Sequence, residues 1–249
     1  MGKSPIQQLS VLVTRSGRAG NDLVEQLKCS GVDSYHLPTL RITKLDYCLS
    51  AEDYQQAIFL STNAVKFSVE QSQLVKDLLP EQIIAVGKAT AQRLEKNALK
   101  DVIIPETASS EGLLNLPALQ SIKGQQILII KGRGGRELLQ TKLAELGAIC
   151  HELEVYDRVQ NTLDMQLLDK FITAQALTKI VTFASVDGMN ALIRQINDKT
   201  LLLKLVALVA SERIAKKAAK AGFKSVVVAD SASNEDMMAS VITVNKNYQ

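Results

Sequence analysis

A single ungapped shift of 124 residues lays this sequence on itself over about fifty positions, which points to a duplicated unit. Phe59 and Ser61 fall on Phe183 and Ser185. Ala91, Lys96, Lys100, Val102, Ala108, Ser109 and Glu111 fall on Ala215, Lys220, Lys224, Val226, Ala232, Ser233 and Glu235. A shift of 116 aligns the opening of each copy, placing Leu12, Leu23, Leu27, Gly31 and Leu37 on Leu128, Leu139, Leu143, Gly147 and Leu153. The polar coincidences and the constant register carry the weight here, because apolar matches arise easily by chance.

Within each copy, short apolar runs recur: Val11–Val13, Ala57–Leu60, Ile83–Val86, Val102–Ile104, Ile127–Ile130, Ile180–Phe183, Leu205–Val209 and Val226–Val228. Runs apolar on both faces suit buried parallel strands. Between them lie helical spacings, such as Leu23 and Leu27 before Gly31, or Leu138, Leu139, Leu143 and Leu146 before Gly147, with glycine at the helix stop. The alternation predicts two similar parallel-sheet α/β lobes, with function expected in a cleft between them.

Composition narrows the classes. The 249 residues suffice for two ordinary domains. A net charge of +3 spread along the chain disfavours nucleic-acid binding and leaves a modest pull on acidic small molecules. Cys29, Cys48 and Cys150 form no Cys-x-x-Cys pair, and His36 and His151 are not at ligand spacing, so disulfide scaffolds and zinc sites are disfavoured. No apolar run reaches the roughly 18 residues of a membrane span, and Met1 to Pro5 has no signal-peptide core. The expectation is a cytoplasmic protein without membrane or nucleic-acid partners.

Two strand-to-helix junctions recur in both copies. Ser61-Thr62-Asn63-Ala64 pairs with Ser185-Val186-Asp187-Gly188, and Gly87-Lys88-Ala89-Thr90 pairs with Ser211-Glu212-Arg213-Ile214. Free backbone N–H groups at such helix starts suit carboxylate or phosphate, although simple capping accounts for the same residue types. Lys131-Gly132-Arg133-Gly134-Gly135-Arg136 looks like a phosphate cradle, with Arg15-Ser16-Gly17-Arg18 as its counterpart, but neither matches a dinucleotide or P-loop pattern. No Gly-x-Ser-x-Gly elbow is present, and the three cysteines lie in apolar or helical contexts. Tyr156 is the one candidate for chemistry, with packing as the competing role.

Val11-Leu12-Val13-Thr14-Arg15, Phe59-Leu60-Ser61-Thr62-Asn63-Ala64, Val86-Gly87-Lys88-Ala89-Thr90-Ala91, Lys131-Gly132-Arg133-Gly134-Gly135-Arg136-Glu137, Val155-Tyr156-Asp157-Arg158 and Phe183-Ala184-Ser185 occur in the order found in the uroporphyrinogen-III synthase family. The ordered set resembles that family over essentially the whole chain, in its gammaproteobacterial branch. The resemblance implies flavodoxin-like units in a discontinuous arrangement. Lobe one is expected over 1–37 plus 160–249 and lobe two over 44–154, with thin hinge connections at 38–43 and 155–159.

The resemblance also implies a lyase that dehydrates and cyclises hydroxymethylbilane to uroporphyrinogen III with inversion of ring D, in tetrapyrrole and haem biosynthesis. No metal or organic cofactor is expected. A monomer is expected, receiving its substrate by transient handover from hydroxymethylbilane synthase. Tyr156 matches the tyrosine that assists departure of the hydroxyl. Ser61, Asn63, Gly87, Thr90 and Ser185 match substrate-binding positions, and Arg15, Thr62, Lys88, Ala89, Lys131, Ser211 and Arg213 are added from the same junctions. The chain departs from the family where Ser211 and Ile214 replace a glycine and a threonine. Two rival readings are a non-catalytic two-lobed binder of an acidic small molecule and a nucleotide-dependent transferase using the Lys131 to Arg136 loop.

Overall fold

The structure, a computed structural model, describes residues 9–50, 52–135 and 137–247. Its first half runs β1 (Leu9–Val13), α1 (Gly17–Cys29), β2 (Asp33–His36), β3 (Leu40–Lys44), β4 (Gln56–Phe59), α2 (Thr62–Phe67), α3 (Gln73–Asp77), β5 (Gln82–Ala85), α4 (Lys88–Glu95) and α5 (Ser110–Leu114). The remainder is β6 (Gln126–Gly132), α6 (Leu138–Glu145), β7 (Ile149–Gln160), α7 (Met165–Thr173), β8 (Thr178–Phe183), α8 (Val186–Gln195), β9 (Val206–Val209), α9 (Glu212–Ala221), β10 (Ser225–Val228) and α10 (Asn234–Asn247). Two compact units result, one from residues 1–42 with 159–249 and the other from 43–158.

The first unit holds a parallel sheet in the order β10-β9-β8-β1-β2. Counted along the unit's own strands this is the 2-1-3-4-5 order of flavodoxin-like sheets. The inner strands β1 and β9 are buried on both faces, and β1 is apolar at four of its five positions. Phe171, Phe183, Leu27, Leu192 and Val241 fill the space between sheet and helices. Each such apolar side chain contributes about 1.5–3 kcal/mol on burial.

The second unit has the order β3-β7-β6-β4-β5, with β7, β6, β4 and β5 parallel. Its register reproduces that of the first unit. Leu12 pairs with Val181 and Tyr35 there, while Leu128 pairs with Ala57 and His151 here, as the two shifts require. Val181 opposite Ala207 corresponds in the same way to Ala57 opposite Ile83. Ile58, Ile84, Leu119, Ile127, Ile129 and Leu143 form a core on one side of this sheet.

The division between the units falls at 42/43 and 158/159, inside the two expected connections, and these stretches belong to the strands β3 and β7. Their alternating polar residues hid them from a search for runs apolar on both faces. Val102 to Ile104 is reduced to a single bridge, Ile103 opposite Ile84, at the place where β10 completes the other sheet.

Glu70 ties the segment after α2 to α4, accepting from Arg93 Nε at 2.7 Å and Nη2 at 2.8 Å and from Asn97. The Arg93 hydrogen bond holds the Glu70 carboxyl below its ordinary range against an opposing effect of burial. A lowered folded pKa stabilises above the unfolded value and is lost as pH falls through the folded one. Because the pair is about a third exposed, Arg93→Gln should cost only about 0.5 kcal/mol at pH 7. Urea denaturation of both proteins should show that gap closing below the folded Glu70 pKa.

Candidate functional site

In a parallel sheet, ligands bind beyond the carboxyl ends of the strands, where neighbouring connections run in opposite directions. In the second unit that switch lies between β4, which leads to β5 on one side, and β6, which leads to β7 on the other. Ser61 follows β4 and Gly132 ends β6, so both stand at this point. Tyr156 on β7 completes the group, its hydroxyl 3.0 Å from Ser61 Oγ.

The chain builds this cluster by local means. Ser61 caps α2 by accepting from the Ala64 N–H at 3.0 Å, as serine does at helix starts. The β6–β7 register slips between Lys131 and Gly132, which brings Gly132 opposite Tyr156. A Cβ on Gly132 would lie 2.5 Å from Tyr156 Cζ, so only glycine leaves room for the ring. Arg158, two residues further along β7 and therefore on the same face, donates from Nη2 to the Tyr156 hydroxyl at 2.7 Å. Its guanidinium carbon lies 5.0 Å from the ring centroid, within cation–π range.

Tyr156 is 1% exposed. The expected catalytic tyrosine therefore stands behind Ser61 and Arg158 rather than open to solvent. Thr62 and Asn63 lie half-buried in the first turn of α2. Gly87 is the buried N-cap of α4, Lys88 and Ala89 are exposed in its first turn, and Thr90 is 4% exposed.

The basic loop after β6 does not offer the free cations expected of it. Lys131 is 7% exposed and its Nζ lies 2.7 Å from Glu152. Arg133 contacts Glu154 and Asp157 at 3.3 and 3.7 Å, and the Gly134 N–H donates to Glu154. Acidic residues of β7 thus set carboxylates of the protein itself against Lys131 and Arg133. Arg136 lies outside the described residues.

The first unit carries the matching edge. Ser185 caps α8, accepting from the Gly188 N–H at 3.0 Å, as Ser61 does for α2. Ser211 is the N-cap of α9 without a side-chain bond to the helix, and Arg213 is exposed in its first turn. Arg15, just past β1, donates from Nη1 to the Ala232 carbonyl at 2.6 Å, and burial pushes its guanidinium below the ordinary value. Ser109 and Ser233, matched by the repeat but not singled out as binding residues, cap α5 and the start of α10 in the same manner. Arg158 and Gly132 also escaped the sequence reading of the site. The alternation of β7, which puts residues 156 and 158 on one face, was the available signal for Arg158.

Both histidines have packing roles. The Arg15 carbonyl can only accept, so His36 Nε2 carries the proton of their 2.8 Å hydrogen bond, while His151 meets Tyr54 edge-on at 5.3 Å between centroids. Among the described residues no three His, Cys, Asp or Glu side chains are grouped to hold a metal ion, and no helix is long and apolar enough to cross a membrane.

Comparison with known proteins adds the family. The family model described as uroporphyrinogen-III synthase HemD matches residues 21–239. The uroporphyrinogen-III synthase of Escherichia coli K12 is 33% identical over 245 residues, covering 92% of this chain and 98% of its own. That of Salmonella typhimurium is 31% identical with the same coverage. Among solved structures, the uroporphyrinogen-III synthetase of Helicobacter pylori superposes with a TM-score of 0.68 over 95% of this chain and 99% of its own, at 16% identity, which speaks to the fold alone. With its duplicated flavodoxin-like units and this similarity along nearly its whole length, the chain belongs to the uroporphyrinogen-III synthase family.

Proposed function

We propose that the protein is a uroporphyrinogen-III synthase, a cyclising hydro-lyase that converts hydroxymethylbilane to uroporphyrinogen III with inversion of ring D. Family membership along nearly the whole chain carries this reading. The reaction is a dehydration with carbon–carbon bond formation, so it is redox-neutral and makes no demand for an electron carrier. Its substrate ionises readily to an azafulvene and closes unaided to isomer I, which leaves the protein chiefly the task of orientation.

The geometry supports that division of labour. Eight carboxylates need receivers, and the starts of α4 and α9, which carry no side-chain cap, offer N–H groups and the positive ends of helix dipoles at strand ends. Such receivers require few cations, which suits a chain with a net charge of only +3. The self-neutralised loop at Lys131 to Gly134 weighs against the nucleotide-dependent alternative.

Incubation with freshly made hydroxymethylbilane tests the proposal. Isomer III as the main product is expected, and isomer I alone would overturn it. At the start of α4, Thr90→Ala should weaken tetrapyrrole binding by about 1 kcal/mol, or roughly fivefold, if one hydrogen bond to a carboxylate is lost. Titration with uroporphyrinogen III reads this directly, and unchanged affinity would leave Thr90 a packing residue.

A further inference from the structure

The chain of contacts from Arg158 through Tyr156 to Ser61 has one consistent direction. A guanidinium can only donate, so Arg158 Nη2 gives a proton to the phenol oxygen at 2.7 Å. At 1% exposure the phenol must find an acceptor for its own proton inside the protein, and among the described residues Ser61 Oγ at 3.0 Å provides it. Ser61 Oγ already accepts from the Ala64 N–H. With both lone pairs engaged, the half-buried serine hydroxyl retains one proton to give and no capacity to accept.

Building on the synthase reading, we infer that Ser61 is the catalytic residue that delivers a proton to the departing hydroxyl, with Tyr156 a positioning residue that aims and reloads it from behind. The C–O bond of the hydroxymethyl group breaks with its electron pair on oxygen, which takes the Ser61 proton and leaves as water. The pyrrole nitrogen supplies electrons to the vacated carbon, forming the azafulvenium cation. Tyr156 passes its proton to Ser61, and the resulting phenolate faces the guanidinium of Arg158. Ring D is attacked at its substituted position, its old bond to the bridging carbon breaks, that carbon bonds to the ring's free position, and the pyrrole sheds the proton there to regain aromaticity. That proton returns through Ser61 to the phenolate and closes the cycle without a further reactant.

Single-turnover rates of Ser61→Gly, Tyr156→Phe, their double variant and Ser61→Thr test the relay. Glycine is a near-neutral replacement at an N-cap, so Ser61→Gly removes the hydroxyl while keeping the helix start. Both single variants should lose roughly a hundredfold in kcat with KM and thermal midpoint nearly unchanged. The double variant should be no slower than the slower single, and Ser61→Thr should restore most of the rate. Near-wild-type kcat in Ser61→Gly beside a slow Tyr156→Phe would overturn the inference by making the tyrosine the direct donor. Multiplicative losses in the double variant, or a Ser61→Thr variant as slow as Ser61→Gly, would overturn it too. Failure of the wild-type protein to form isomer III is a separate result, one that refutes the synthase reading itself.

Discussion

Gly132→Ala should cost about 1–3 kcal/mol of stability and lower kcat by at least tenfold, the first through overpacking and the second through displacement of Tyr156. The added Cβ would stand 2.5 Å from Cζ, 2.6 Å from Cε2 and 2.9 Å from the hydroxyl of that tyrosine. The ring is fully buried, with Phe67 6.0 Å away between centroids, so it has little room to retreat. Any retreat lengthens the 2.7 Å and 3.0 Å hydrogen bonds to Arg158 and Ser61. Urea denaturation and single-turnover kinetics separate the two effects. An alanine variant with wild-type kcat would mean that the placement of Tyr156 is immaterial to turnover.

Gly20→Ala should be more damaging to stability. Its Cβ would fall 2.0 Å from the Arg15 carbonyl oxygen and 2.7 Å from His36 Nε2, the two atoms that hydrogen-bond each other at 2.8 Å. Backbone cannot rotate away as a side-chain tip can, so α1 must shift off the end of β1. A loss of about 3 kcal/mol is expected, lowering the thermal midpoint by roughly 6–12 °C for a chain of this size. Arg15 moves with its own carbonyl, so tetrapyrrole affinity should fall as well. Calorimetry and product titration read these changes, and an unshifted midpoint would show that α1 adapts without strain.

The parts of the fold legible in the sequence were those buried on both faces. β1, β4, β5, β6, β8, β9 and β10 each carry a run of mostly apolar residues, and the duplication matched those runs between the two units. β2 and β3 were harder to read because polar residues interrupt them, Asp33, Ser34 and His36 in one and Arg41, Thr43 and Lys44 in the other. β7 lies inside its sheet yet alternates over twelve residues, Ile-Cys-His-Glu-Leu-Glu-Val-Tyr-Asp-Arg-Val-Gln, so a periodicity of two was present but gave no apolar run.

For the site, junction residues such as Ser61 and Ser185 could be picked out because capping chemistry is local. What local sequence could not convey was pairing across the sheet. Lys131 looked like an anion ligand until β7 laid Glu152 beside it. Tyr156 could be named as a candidate for chemistry, but its contact with Ser61, ninety-five residues away in sequence, and its place opposite Gly132 were not visible.

Orientation and proton delivery are separable in this account: strand-end receivers choose the isomer, and the Ser61 hydroxyl sets the pace. The most direct test is the isomer made by Ser61→Gly in a single turnover, with enzyme in excess and spontaneous closure subtracted. The slowed protein should still yield uroporphyrinogen III. Isomer I from the bound substrate would contradict it, since the group that only times the reaction would then be choosing its product.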